Sequence, residues 1–146
     1  MKQIKIKRVD PKLPLPRYET SGSVGFDILA REEIEIQPGE VQLIPGNIVV
    51  EVPEGYMLIV ASRSSTPRKK GLLTPHGFGI IDHDYCGPND EIKIQVLNFT
   101  KEAATINRGD KIAQGVFVKI DKMDWREVEE MEKNDRGGFG STGGHS

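Results

Sequence analysis

The chain has 146 residues, the size of one domain, with 36% apolar and only 6% aromatic residues and a net charge of −2. So lean a core gains from association between copies, and with no global positive field a general nucleic-acid binder is disfavoured; an anionic ligand would need local cations and main-chain N–H groups. No apolar run approaches the roughly 18 residues of a membrane span, MKQIKIKRVD lacks the apolar segment of a signal peptide, and the single Cys86 fits a reducing compartment. A soluble cytoplasmic protein is expected, with neither nucleic acid nor membrane as a partner.

Short alternating runs follow one another along the chain. Ile4 and Ile6 open a first strand. GFDILA (25–30) reads as another, with Asp27 on the face opposite to Phe26 and Ile28. Ile34 and Ile36, then Val41 and Leu43, repeat the two-residue period, and runs at 48–52 and 56–61 follow. Pro38-Gly39, Pro45-Gly46 and Pro53-Glu54-Gly55 supply the turns between them. Thr66-Pro67 reads as an N-cap followed by proline at the first helical position, and Gly71 ends that short helix.

GFGIIDHDYCG (77–87) reads as a glycine-flanked hairpin, with Asp82 and Asp84 at strand spacing on one side and His83 on the other. In EIKIQVL (91–97), Ile92, Ile94 and Val96 share one face and Lys93 and Gln95 the other. Asn107-Arg108-Gly109-Asp110 turns the chain into a last strand over 111–120, and Asp124 with Glu127 could cap one more helical turn near Trp125 and Val128. The end, DRGGFGSTGGHS, is too rich in glycine to hold a fixed shape alone. Turn signals every eight to twelve residues predict an all-β sandwich or barrel with very little helix.

Five segments carry chemistry. Asp27 is an acid between apolar neighbours. ASRSSTP (61–67) lets an apolar strand run into hydroxyls, one guanidinium and a helix start, the ingredients of a phosphate cradle, or of a polar turn with a cap. The 77–87 hairpin offers main-chain groups to a base edge and a carboxylate that could hold a water; a metal site at Asp82-His83-Asp84 is disfavoured because His83 points away from both acids. Gln114 is polar within an apolar strand. The tail sets Arg136, Phe139, Ser141 and Thr142 among glycines, so one cation, one ring and two hydroxyls could close over a ligand.

In this order, GFDILA, SRSS, GIIDHDYCG, RGDKIAQ and RGGFGSTG resemble the five motifs of the trimeric dUTPase family, from about Val24 to Gly143. The resemblance implies a jelly-roll-like β subunit over 1–133, a mobile arm over 134–146, and a homotrimer whose active sites are shared between chains. It implies hydrolysis of dUTP to dUMP and pyrophosphate with Mg2+, which limits uracil incorporation into DNA and supplies dUMP for thymidylate synthesis. By position, Asp82 matches the residue that orients the attacking water, and Tyr85 the tyrosine that packs on deoxyribose. Gly77, Gly79 and Ile81 belong to the hairpin that reads uracil through its main chain. Arg63, Ser64 and Ser65 match the phosphate-facing motif, and Gln114 the glutamine near the α-phosphate. Arg136, Ser141 and Thr142 match residues that grip the γ-phosphate, Phe139 the ring that stacks on uracil, and Asp27 the acid that holds magnesium through water.

Three features depart from the family pattern. The stretch Arg136 to Phe139 is two residues short, the turn CGPNDE after Tyr85 is about three residues long, and His76 stands where some members place an asparagine that touches uracil. A dCTP deaminase of the same fold would need a glutamate on the strand after motif three. Counting from Asp82 gives Ile92 there and counting back from Asn98 gives Gln95, with Glu91 one residue off. A catalytically silent nucleotide-binding module is the other alternative, disfavoured by Asp82 and Tyr85 both being present.

Overall fold

The computed structural model describes residues 2–141 and residue 143. Eleven strands and one short helix are present among the described residues. β2 (Phe26–Leu29), β11 (Lys111–Lys119), β6 (Tyr56–Ala61) and β8 (Phe78–Ile81) lie side by side in that order as an antiparallel sheet. β4 (Val41–Pro45), β9 (Lys93–Asn98) and β7 (Leu72–Leu73) form a second. Two ribbons complete the wall: β1 (Ile6–Arg8) with β5 (Ile48–Val50), and β3 (Ile34–Ile36) with β10 (Ala104–Ile106).

The two-residue period decides what faces inward. Ile92, Ile94 and Val96 are buried, Lys93 is exposed and Gln95 is half-buried, as the alternation predicts. On β2 the same rule buries Phe26 and Ile28 and leaves Asp27 on the outer face. Between the sheets Ile28, Ile36, Ile44, Leu58, Leu72, Ile92 and Ile106 form one contiguous core. Each such side chain stabilises the fold by about 1.5–3 kcal/mol through removal from water. The outcome is the nearly all-β body expected from the pattern, of the jelly-roll-like kind that the resemblance implies.

Turns behave as their residues dictate. Gly55 (φ 79°) and Gly109 (φ 89°) take left-handed conformations that close the 53–56 and 107–110 turns. The helix α1 (Thr66–Lys70) differs from expectation in its cap: Ser65 occupies that position without a side-chain bond, and Thr66 is the first helical residue, buried in the body. Gly71 ends it in the left-handed region, its N–H donating to the Pro67 carbonyl. The first strand begins at Ile6, while Ile4 packs half-buried on the core. The helical turn expected near Trp125 does not form. An isolated turn fixes many dihedral angles for one hydrogen bond, and nothing packs on this segment to offset that.

After Ile120, whose N–H donates to the Gly55 carbonyl at 2.9 Å, the chain leaves the body. Residues 121–137 are exposed throughout, with Met123, Trp125 (97% exposed), Val128 and Met131 uncovered. Two further apolar surfaces face outward: Val41 and Leu43 on β4, and Phe78 and Ile80 on β8.

Candidate functional site

The antiparallel register sets Asp27 on β2, Gln114 on β11 and Ala61 on β6 in one row across the large sheet. β6 ends there and hands the chain to Ser62, Arg63, Ser64 and Ser65. The Arg63 guanidinium reaches back over the sheet, its Nε 2.9 Å from Asp27 Oδ1. Lys111 Nζ takes the other oxygen, Oδ2, at 2.9 Å, and also approaches Glu19 at 3.3 Å. The hydrogen bond to Asp27, reinforced by Glu19, holds the Lys111 ammonium above its usual pKa. Gln114 donates Nε2–H to the Ser62 carbonyl at 3.1 Å. That leaves its Oε1 beside Gly25, where an added Cβ would stand 2.9 Å away.

Lys111 was not among the residues singled out from sequence. Strand alternation puts positions 111 and 114 on opposite faces, since their separation is odd. A bulge between Lys111 and Ala113 interrupts the pairing with β2, buries Ile112 and Ala113 in succession, and returns Lys111 to the outer face with Gln114. Nothing in the letters marks that extra residue.

The glycine-flanked segment builds the other half. β8 pairs with β6 on one side only and is an edge strand, so alternate main-chain N–H and C=O groups along it face away from the sheet. Gly77, with φ 83°, makes the bend before it; its N–H is taken by the Thr74 carbonyl at 3.1 Å and that of Phe78 by the His76 carbonyl at 3.1 Å. The open edge therefore runs through Gly79 to Ile81. The exposed His76 ring lies over Gly79, its Nε2 3.7 Å from where a Cβ would be.

The strand spacing expected for Asp82 and Asp84 does not occur. β8 stops at Ile81, and residues 82–85 form a turn in which the Tyr85 N–H donates to the Asp82 carbonyl at 3.3 Å. His83 turns away to donate Nδ1–H to the Val52 carbonyl at 2.7 Å, anchoring the turn to the body. Asp82 and Asp84 stay exposed. Among the described residues no group of three or more His, Cys, Asp or Glu is arranged to hold a metal. Tyr85, 37% exposed, donates its phenol O–H to the Glu91 carbonyl at 3.1 Å.

Glu91 has a structural occupation. Its Oε2 accepts from Arg31 Nε at 2.7 Å and from the buried Asn47 N–H at 3.0 Å, and its Oε1 accepts from Arg31 Nη2 at 3.0 Å. The pair holds the Arg31 pKa above its ordinary value, the hydrogen bond to Glu91 outweighing burial. A carboxylate so engaged is no free base for attack on a pyrimidine ring.

Two groups of sequence-derived residues thus form without meeting. Arg63, Asp27 and Gln114 gather at the Ala61 end of β6. Asp82 follows Ile81, which is paired with Leu58, three residues or roughly 10 Å back along the same strand. The hollow of about 220 Å³ beside Asp27 and Lys111 includes neither Arg63 nor Asp82. Arg136, Phe139 and Ser141 are exposed, and among the described residues no hydrogen bond or ion pair joins 121–141 to the body. Thr142 lies outside the described residues.

The family model described as dUTPase matches residues 11–143. The deoxyuridine 5'-triphosphate nucleotidohydrolase of Finegoldia magna is 42% identical over 134 residues, covering 89% of this chain and 92% of the relative. The crystal structure of the dUTPase from Streptococcus mutans superposes with a TM-score of 0.77 at 33% identity, over 82% of this chain and 98% of that one. A mutant dUTPase from phage phi11 of S. aureus, described with a coordinated structural Mg(II) ion, gives a TM-score of 0.81 at 25% identity over 90% and 100% of the two chains.

Proposed function

The chain belongs to the dUTPase family, and from that premise we propose that it hydrolyses dUTP to dUMP and pyrophosphate by attack of water on the α-phosphorus. The consequence in a cell is less uracil in DNA and a supply of dUMP for thymidylate synthesis. The observation that carries the reading is the convergence of Asp27, Arg63 and Gln114 at one end of a sheet whose free edge is the Gly79–Ile81 strand leading to Asp82.

The chemistry asked of the protein is orientation and charge stabilisation, because no side chain here acts as a covalent nucleophile. The exposed Asp82 carboxylate accepts a hydrogen bond from a water and aims it in line with the α–β phosphate bond. Arg63 with Ser64 and Ser65 faces the phosphates, and Gln114 lies near the α-phosphate. Arg136, Ser141 and Thr142 close on the γ-phosphate, and Phe139 stacks on the base. The open edge through Gly79 and Ile81, behind the bend at Gly77, meets uracil O4 with a donor and N3–H with an acceptor. Cytosine inverts both, which leaves buried groups unpaired at about 1–3 kcal/mol each. The same narrow bend excludes the thymine methyl, Tyr85 leaves no room for a 2′-hydroxyl, and His76, lying over Gly79, is a candidate contact to the base.

Asp27 suits magnesium held through water. Both its oxygens already accept from a cation, yet each keeps a lone pair for a metal-bound water, and Mg2+ readily retains waters while binding phosphate. Bound there, the ion would neutralise phosphate charge during departure of pyrophosphate.

We infer that the working unit is a homotrimer. A lone chain keeps Asp82 away from Arg63, leaves Phe78, Ile80, Val41 and Leu43 uncovered, and sends 121–137 into solvent. On this reading the unit over 1–133 supplies the walls and the segment 134–146 closes a site on a neighbouring subunit. The unpaired Cys86 fits a cytoplasmic setting. The deaminase alternative loses its base, since Glu91 is held by Arg31.

The test is pyrophosphate release from dUTP, dCTP and dTTP, with and without Mg2+. Asp82→Asn is expected to abolish release from dUTP while a non-hydrolysable dUTP analogue still binds. Near-normal turnover in that variant would overturn the role given to Asp82, and absence of pyrophosphate release from dUTP by the parent would overturn the activity itself.

A further inference from the structure

The ring expected to police the sugar is fastened by its phenol to the main chain of the body. Tyr85 has its N–H on the Asp82 carbonyl and its phenol on the carbonyl of Glu91, six residues along. The intervening chain is a closed turn: the Gly87 N–H donates to Asp90 Oδ2 at 2.7 Å, the Asp90 N–H donates to the Gly87 carbonyl at 3.1 Å, and Lys7 Nζ donates to the Pro88 carbonyl at 3.0 Å. Beyond it Glu91 is buried, gripped by Arg31 through two hydrogen bonds and by the Asn47 N–H, while the Ile92 N–H donates to the Ile48 carbonyl at 2.9 Å. The carbonyl that receives the phenol is therefore part of the rigid wall.

Steric exclusion is only as good as the stiffness of the excluding group. A half-exposed tyrosine whose phenol bonded only to water could swing on its side-chain torsions, and a yield of about 1 Å is enough to undo a positional constraint. Resting on the dUTP reading above, we propose that the Arg31–Glu91 pair positions the Tyr85 ring through the Glu91 carbonyl, and so sets the discrimination of deoxyribose from ribose. Arg31 and Glu91 touch no substrate in this arrangement; they are positioning residues.

The experiment compares kcat/KM for dUTP with kcat/KM for UTP in the full-length protein. Tyr85→Phe keeps the ring and deletes the bond to Glu91; the dUTP-to-UTP ratio is expected to fall about fivefold, matching the worth of one neutral hydrogen bond. The double variant Arg31→Met/Glu91→Gln removes the ion pair without stranding a charge and is expected to lower the same ratio, with no further fall when Tyr85→Phe is added. A role in stability alone would lower both kcat/KM values together and leave the ratio unchanged. An unchanged ratio in Tyr85→Phe overturns the proposal, as does strict additivity of the variants. Should the double variant fail to fold, Tyr85→Phe alone decides. Failure of the parent to release pyrophosphate from dUTP would instead refute the activity on which the proposal rests.

Discussion

Replacing Gly25 by alanine separates the site from the scaffold. The new Cβ would stand 2.9 Å from Gln114 Oε1, 3.5 Å from Val116 Cγ2 and 3.6 Å from the Gly115 carbonyl. Only the first contact is too close, and the amide must retreat by about 0.5 Å to reach ordinary separation. The Gln114–Ser62 bond, at 3.1 Å, is already near the long end of its range and does not survive that retreat. Losing it costs about 0.5–1.5 kcal/mol, and alanine returns about 0.4–1 kcal/mol by restricting the unfolded chain. Net stability therefore changes by less than about 1 kcal/mol. Activity should change more, because on the proposed reading the amide leaves the α-phosphate. Deleting one donor to developing charge typically costs 10²–10³ in kcat, so a displaced one should cost about 10–100-fold. Pyrophosphate release and the urea midpoint, measured on the same preparation, read both quantities. Gly115→Ala is the contrast: its Cβ would run into the Phe26 ring, which is buried and flanked by Tyr18 and Phe117 at 6.1 and 5.8 Å between centroids. Overpacking of that kind costs about 1–3 kcal/mol. Full kcat/KM in Gly25→Ala, or a stability loss above about 2 kcal/mol there, would refute the reasoning.

Glu91→Ala should destabilise by about 3 kcal/mol, the low end for breaking a buried pair, since Arg31 keeps Glu32 at 3.0 Å. Glu51→Ala, which breaks a pair to Lys5 whose side chains are 44% and 88% exposed, should cost under about 0.5 kcal/mol; equal urea midpoints at fixed protomer concentration would contradict this. For Asp110, burial raises the pKa, but the Asn107 N–H and the Lys70 ammonium outweigh it and hold the carboxyl below 3.8. Its stabilisation is therefore present above the unfolded value and lost as pH falls through the lower folded one. Asp110→Asn should be less stable than the parent at pH 7 and converge with it once pH has fallen below the lowered folded value; a gap that persists in strong acid would count against the pairing. Truncation before Arg136 should cut the rate more than tenfold and leave the proposed trimer intact by sedimentation, and an unchanged rate would make the arm dispensable.

What could be read from the letters was governed by local rules. Alternation at 26–29 and 92–96 placed Asp27 outside and the isoleucines inside because the side-chain period is fixed by backbone geometry. The proline- and glycine-marked turns followed from residues that leave little choice. β10 escaped notice because Ala104-Thr105-Ile106 has no pattern of its own; it becomes a strand by pairing with β3. Lys111 escaped because a bulge reverses the alternation locally, and the second cation on Asp27 went with it. Alternation carries Asp82 and Asp84 onto a strand, but the strand ends at Ile81, where His83 finds a carbonyl at Val52 and Tyr85 one at Glu91. Each of these departures depends on a partner distant along the chain, which a window of neighbouring residues does not contain.

Trp125 is the sole tryptophan of the chain and lies on the uncovered stretch after Ile120. Indole emission moves to shorter wavelength when water is removed from around the ring. The molecule thus carries its own optical gauge of whether this stretch is seated: if the proposed trimer covers it, a dilution series followed by intrinsic fluorescence reads subunit separation without a dye, a tag or a labelling site.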